Sequence, residues 1–452
     1  MKIIIVGNGK TGYHLAGQLS LDSHDVTVID KYPSRLRSSQ NNQDVITYTG
    51  DAVNADVLRE AGVATADLLI AVTASDETNL LCCMIARELG ADHTIARVRD
   101  PQILSGLSEI WRAVGLSLSV NPESAAATEI AHQLVLPAAV KVDFFAKGRV
   151  EMVEYTVPSD SHLCGIRLPQ LTQKLKMQIL VCVAVRDGAV LIPDGSYTIQ
   201  PGDRLGIAGN TDEIAKFFRL IDPTRKKAKT VIIVGGSTIG YYLARLLETN
   251  NMRVCIVEKD KSKAEYLADA LPHAEVTWGD GSDEEMLREE GLDKGDALVA
   301  LTNVDQENIV ISMSAQARGI PKVITKINHT QLSGIISKAN IQNVITPHLI
   351  TAEHVLRYVR ALESSLGSNV EALSSIMDGK AEALEFKVND AFPGRGVPLR
   401  VLKPKRGYLI ACIIRGRQTI FPRGEDSIQS GDRVIVVTTH VGLNNLSEIM
   451  DS

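Results

Sequence analysis

The chain has 452 residues, 44% hydrophobic and 23% charged, with a formal net charge of -6. That length suggests about three domains, and the mild negative charge gives no bulk attraction to nucleic acid or anionic lipid. Aromatics are only 4%, so the cores must be built from Val, Ile, Leu and Ala, which favours helix-covered parallel sheets over β-sandwiches.

No apolar run approaches the roughly 20 residues that cross a bilayer. The opening Met1–Val6 is hydrophobic but runs straight into Gly7-Asn8-Gly9, turn chemistry without a cleavage site. A cytoplasmic chain is therefore expected, with any membrane role supplied through a partner. Of the six cysteines, Cys182, Cys255 and Cys412 sit in apolar strand-like runs, and Cys82 and Cys83 are neighbours on an expected helix. No Cys-x-x-Cys pair occurs, so the thiols read as small buried hydrophobes.

Residues 2–6 form a β-branched run, the mark of a buried strand. Gly7, Gly9 and Gly12 follow, then an amphipathic helix carrying Leu15, Ala16 and Leu19, and a second strand that ends in Asp30. Strand, glycine turn, helix, strand and acid make the dinucleotide-binding fingerprint in its required context. Gly7 permits the tight turn, Gly9 lets backbone approach a pyrophosphate, and Gly12 lets the helix pack close to the sheet. The helix N-terminus offers free N–H groups to phosphate. Asp30 can accept both ribose hydroxyl hydrogens, and its charge would repel a 2′-phosphate, so NAD fits better than NADP. The same diol is present in ATP, so the acid does not separate NAD from ATP.

Helices expected near 54–61, 76–88 and 101–108 then alternate with strands near 45–48, 67–72 and 94–98, the pattern of a doubly wound parallel sheet. Ser75 or Asp76 is placed to cap the middle helix. Thr73 and Ala74, past the end of strand four, should border the nucleotide. Of Arg97 and Arg99, which follow strand five, at most one is expected to face a phosphate. This first Rossmann-like domain spans residues 1–121.

A helical stretch at 122–136 follows, with Ala125, Ala126, Thr128, Ile130, His132 and Val135 on a face suited to packing within the chain or against another copy. Residues 140–222 read as a small α+β module of short strands, among them 153–157 and 180–185, joined by turns at Arg186-Asp187-Gly188 and Gln200-Pro201-Gly202-Asp203. It holds no catalytic constellation. The polar, basic segment 222–229 reads as a solvated linker.

Beyond the linker the sequence begins again. The run from Ile3 returns at Val231, with Gly7 matching Gly235 (235 − 7 = 228) and Asp30 matching Glu258 (258 − 30 = 228). Thr73 matches Thr302 (302 − 73 = 229), and Gly202-Asp203 matches Gly431-Asp432 (431 − 202 = 229). The chain is therefore two copies of a two-domain unit, the second comprising residues 229–346 and 368–452 with a helical stretch at 347–362 between them. The second glycine turn departs from the first: Ser237 stands where the middle glycine belongs, and its Cβ should crowd a pyrophosphate. Glu258 reaches one methylene further than Asp30.

GNGKTG with Asp30, the VTASDETN segment, RVRDP, the second GGSTIG with Glu258, and the late PGD and SGD strands together resemble the TrkA family of Trk potassium-uptake regulatory proteins, with its tandem N- and C-terminal RCK (KTN) domains. The resemblance covers the whole chain. It implies a regulatory subunit, not an enzyme, peripheral on the cytoplasmic face of the membrane. Such a subunit assembles as a dimer or larger homo-oligomer on a Trk-type potassium-translocating subunit. It further implies NAD(H) or ATP/ADP at Gly7, Asn8, Gly9, Lys10, Thr11, Gly12, Asp30, Thr73 and Ala74, with Arg97 or Arg99. In the second copy the implied positions are Gly235, Gly236, Ser237, Thr238, Ile239, Gly240, Glu258, Thr302 and Asn303.

Two other readings stay open on the residues alone. A nicotinamide-dependent oxidoreductase would share the fingerprint, but no acid or base is placed for it: His14 lies on the glycine-turn helix and His354 alone on a linking helix. A metal-responsive scaffold lacks paired ligand spacing, and Asp283, Glu284 and Glu285 read as a solvated helix start.

Overall fold

The computed structural model describes every residue except 101–102, 104–114, 136–140, 176, 222–227, 290–294, 340, 342, 366–369, 378–379, 403, 441–442, 444 and 451–452. The helix expected near 101–108, apart from Ile103, and the linker at 222–229, apart from its last two residues, therefore lie outside the described residues. The chain forms two compact units, Met1–Ala131 with Ala228–Leu356, and His132–Lys227 with Arg357–Ser452. Like domains are grouped together, each unit taking one from either half of the repeat.

The first unit holds both doubly wound domains. Strands β1 (Lys2–Val6), β2 (Asp25–Asp30), β3 (Ile46–Thr49), β4 (Leu68–Ala71), β5 (His93–Arg97) and β6 (Leu118–Val120) pair in the order β3-β2-β1-β4-β5-β6. The ladders are parallel throughout. The second domain repeats this order with strands Thr230–Val234, Arg253–Glu258, Glu275–Trp278, Ala297–Ala300, Lys322–Lys326 and Asn343–Ile345. Continuous apolar runs at β1 and β4 are what a parallel strand buried on both faces requires. Ile4, Val6, Leu69 and Ala71 pack there with Cys82, Cys83 and Ala96. Burial pushes the Cys82 thiol up to about 12, so it packs as an apolar group. The chain leaves β1 toward β2 and β3, then returns to β4 on the other side. Ligands bind at such a switch point, beyond the strand ends.

The second unit holds both α+β modules, each a five-stranded antiparallel sheet. In the first module, Tyr155 meets Phe217 and Phe218 edge-on from the helix Thr211–Ile221. The late Gly-Asp motif proves to be a staple. Asp203 accepts Arg186 Nε at 2.7 Å, the Tyr197 hydroxyl at 2.8 Å and the Gln200 N–H at 2.8 Å. Asp432 repeats this with Arg415 Nε at 2.9 Å and Gln429 N–H at 2.8 Å. The two modules share one core: Phe145, Met152 and Cys182 pack with Ile376, Ala383 and Cys412.

Two reciprocal contacts lock that shared core. The Met377 N–H donates to Glu154 at 2.8 Å, and the Ala146 N–H donates to Glu385 at 2.8 Å. Both donors sit in the left-handed region, Ala146 at φ 52° and Met377 at φ 53°, which costs a non-glycine residue roughly 1–2 kcal/mol. Each carboxylate is buried and ion-paired, Glu154 with Arg204 and Glu385 with Arg433. Removing one partner of such a buried pair costs about 3–5 kcal/mol. Glu154→Ala should therefore lower the thermal midpoint by several degrees, whereas Glu275→Ala, in an exposed pair with Arg253, should change it little. Equal shifts in the two variants would contradict this account of the interface.

Candidate functional site

The first glycine turn is built by close approach. Gly7 has φ +100°, and a Cβ there would sit 3.0 Å from the Thr73 nitrogen. A Cβ on Gly12 would lie 1.9 Å from the Gly7 carbonyl oxygen, so only glycine lets the helix Lys10–Leu21 come this near the strand end. A Cβ on Gly9 would meet nothing within 4 Å. The middle glycine thus faces open space above the helix N-terminus, where a phosphate can reach backbone N–H groups.

Asp30 is buried at the end of β2. One carboxylate oxygen accepts the Asn8 N–H at 2.8 Å and the other the Tyr32 N–H at 2.9 Å, with Arg35 Nη1 3.8 Å away. Each oxygen keeps a lone pair for a further donor, such as a ribose hydroxyl. Across the switch point, Asn79 accepts the Thr73 N–H at 2.9 Å and the Thr73 hydroxyl at 2.7 Å, and donates to the Arg97 carbonyl at 2.8 Å. It therefore holds the ends of β4 and β5 together. Ser75 caps the helix Asp76–Glu88 by accepting the Thr78 N–H at 3.1 Å.

A cavity of about 750 Å³ opens over this turn, within the range of roughly 300–1,000 Å³ usual for small-molecule sites. Gly7, Gly9, Lys10, Thr11, Asp30, Thr73, Ala74 and Arg97 all line it, together with Lys31, Tyr32, Asp51 and Ala52. Asn8 and Gly12 stand behind the lining as supports. The two arginines divide. Arg97 borders the cavity, 3.8 Å from Glu123, while Arg99 pairs with Asp76 at 3.6 Å and donates to the Ala74 carbonyl. The far wall belongs to the second domain: Ser237, Thr238, Ile239, Asn303, Lys326 and His348. Burial holds the ammonium of Lys326 and the guanidinium of Arg97 below their ordinary pKa values.

The second glycine turn is differently furnished. Gly235 repeats the conformation of Gly7, with φ +101°. Ser237 turns its hydroxyl back on its own helix and accepts the Gly240 N–H at 3.4 Å. Glu258 accepts the Gly236 N–H at 2.8 Å and the Asp260 N–H at 2.9 Å, and Lys263 lies 3.3 Å from it. Lys259 closes on Asp280 at 2.8 Å. The space left is about 120 Å³, lined by Gly235, Ser237, Glu258, Thr302 and Asn303 among others. Thr238 and Ile239 border the first cavity and not this one.

Sequence reasoning did not single out Asn79 or its counterpart Asn308, which accepts the Thr302 N–H at 2.9 Å and donates to the Lys326 carbonyl at 3.0 Å. The repeat carried the signal, since both asparagines follow their threonine by six residues (79 − 73 = 308 − 302 = 6). Lys326 and His348 were also passed over, because they reach the first cavity from the other domain. Among the described residues no cluster of three or more His, Cys, Asp or Glu could hold a metal, and no helix is long and apolar enough to cross a membrane.

Residues 3–122 and 231–347 match the family model of the TrkA-N domain, and residues 152–222 and 385–451 match that of the TrkA-C domain. The chain belongs to the TrkA family of Trk system potassium uptake proteins. It is 31% identical over 444 residues to Trk system potassium uptake protein TrkA homolog 1 of Methanosarcina mazei, covering 96% of this chain and 97% of that one. It is 29% identical over 446 residues to Trk system potassium uptake protein TrkA of Azorhizobium caulinodans, covering 96% and 95%. The fold is shared with the GsuK channel, at 18% identity and a TM-score of 0.66 over 97% of this chain and 76% of that one. A GsuK channel bound to NAD gives a TM-score of 0.64, at 18% identity and the same coverage.

The glycine geometry separates two variants. Gly9→Ala should leave the thermal midpoint unchanged while cutting nucleotide affinity by about 100-fold, because its methyl enters the space expected for phosphate. Gly12→Ala should lower both. If Gly9→Ala bound nucleotide like the parent in calorimetry, the pyrophosphate would not lie over this turn.

Proposed function

We propose that this chain is a nucleotide-responsive regulatory subunit, not an enzyme, that assembles on a Trk-type potassium-translocating membrane subunit at its cytoplasmic face. The observation that carries the reading is the cavity of about 750 Å³ above the first glycine turn, whose opposite wall comes from the second domain. A nucleotide seated there by Asp30 and Gly9 touches both doubly wound domains at once. The ligand is NAD(H) or ATP/ADP, each of which offers a ribose diol to Asp30 and phosphates to the helix N-terminus. The bound state of the structurally similar channel supports NAD as one such ligand.

A ligand shifts a gate only by binding its states unequally. The number and position of phosphates between the two domains supplies that inequality, because Arg97, Lys326 and His348 line the same space. The helices Pro122–Val135 and Pro347–Ser365 each begin in the first unit and continue into the second. They give a change in domain spacing a covalent route into the second unit.

Calorimetric titration of the full chain with NADH, NAD, ATP and ADP tests the site. Binding of at least one of these is expected, weakened more than tenfold by Asp30→Ala, little changed by Glu258→Ala, and accompanied by no NADH turnover with small carbonyl compounds. Absence of binding to all four, or steady turnover, would overturn the reading.

A further inference from the structure

The repeat places like residues on the two sides of the first cavity, and one pair is unlike. The helices Pro122–Val135 and Pro347–Ser365 start at equivalent prolines (347 − 122 = 225), so Glu123 and His348 occupy the same place in the two domains (348 − 123 = 225). Arg97 and Lys326, the last residues of equivalent strands, form a second matched pair (326 − 97 = 229). All four line the cavity. Glu123 brings a carboxylate, one oxygen of which is 3.8 Å from Arg97 while the other is buried without a hydrogen-bond partner. Its mate brings an imidazole, which carries either a positive charge or none.

The titratable groups around His348 are mostly basic. Lys10 and His14 face it from the first glycine-turn helix, His329 from the loop after strand Lys322–Lys326, and Asp305 from the start of helix Asp305–Ala317. Lys10 Nζ is 3.1 Å from His329 Nε2, and His329 Nδ1 is 2.7 Å from Asp305. On its own helix, Glu353 acts on His14. Partial burial, with Lys10, His14 and His329 adding to it, brings the His348 imidazole down to about 4, against the pull of Asp305. The protein's own groups therefore hold His348 neutral near pH 7. A pyrophosphate over Gly9 would add negative charge to the cavity that His348 lines, and an anion favours the protonated ring.

We propose that His348 is a contact from the second domain for the phosphates of a nucleotide on the first glycine turn, and that it takes up a proton as the nucleotide binds. This rests on the nucleotide reading of that turn. The bound state then holds more protons than the free state, so affinity rises as pH falls through the imidazole pKa of the complex. Above that pKa the coupling disappears. The site reads proton activity together with nucleotide.

NAD is the suitable probe, because its diester phosphates do not titrate near neutrality, whereas terminal phosphates do. The full chain would be titrated calorimetrically at about pH 6 and about pH 8, in buffers of differing ionisation enthalpy, which count protons directly. Uptake of a substantial fraction of a proton is expected at about pH 6, with binding several-fold tighter than at about pH 8. In His348→Gln the uptake and the pH dependence should vanish. Binding without proton uptake, or uptake unchanged in His348→Gln, would overturn the proposal and leave the nucleotide site standing. Failure of the parent chain to bind NAD at either pH would overturn both.

Discussion

The contact between Gly12 and the carbonyl of Gly7 sets the terms for the rest of the site. With no side chain between them, the helix Lys10–Leu21 comes down against the end of β1, its first N–H groups aimed past Gly9 into open space. A Cβ placed 1.9 Å from that carbonyl would force the helix away. Asp30 is then held beside the turn by backbone donors from Asn8 and Tyr32. Asn79 fixes the opposite rim by tying Thr73 to Arg97. The geometry proposed to receive a nucleotide is thus imposed mainly by backbone and by buried amides, and the charged side chains act on a frame already set.

Duplication copied that frame and then let the two turns diverge. Both keep the left-handed first glycine, the acid at the end of the second strand and the asparagine tie. They differ where a ligand would lie. Gly9 faces empty space, while Ser237 spends its hydroxyl on Gly240, and Lys263 and Lys259 draw in against Glu258 and Asp280. The second turn also presents Thr238 and Ile239 to the first cavity. One domain thus carries the glycine turn while the other supplies a wall, so that a ligand held in this cavity would touch both.

What the sequence revealed follows from the range of the interactions. The strand–glycine–helix–strand–acid order is local, so the turn, Asp30 and the alternation of elements were readable, and the N-cap was narrowed to Ser75 or Asp76, of which Ser75 makes the bond. The repeat, visible as matched glycines, acids and Gly-Asp pairs, foretold the tandem organisation. The grouping of like domains was not readable, because Glu154 meets Met377 and Glu385 meets Ala146 across more than 200 residues of chain. His348 and Lys326 were missed for the same reason: each is unremarkable in its own segment and becomes significant only beside a cavity built by the other half. The Gly-Asp motifs were seen as turns, but their role as arginine staples needed the partner strand.

The central claim is that nucleotide between the two doubly wound domains changes how they are spaced. Spin labels at Leu21 and Thr249, exposed positions near or at the ends of the two glycine-turn helices, would report that spacing by pulsed electron resonance. The partly exposed Cys164 would first be replaced by serine. Saturating nucleotide should shift the distance distribution of the parent chain and leave that of Asp30→Ala unmoved. Identical distributions with and without bound nucleotide would contradict the account, since a ligand that does not alter the pair has no means of passing its presence to a gate.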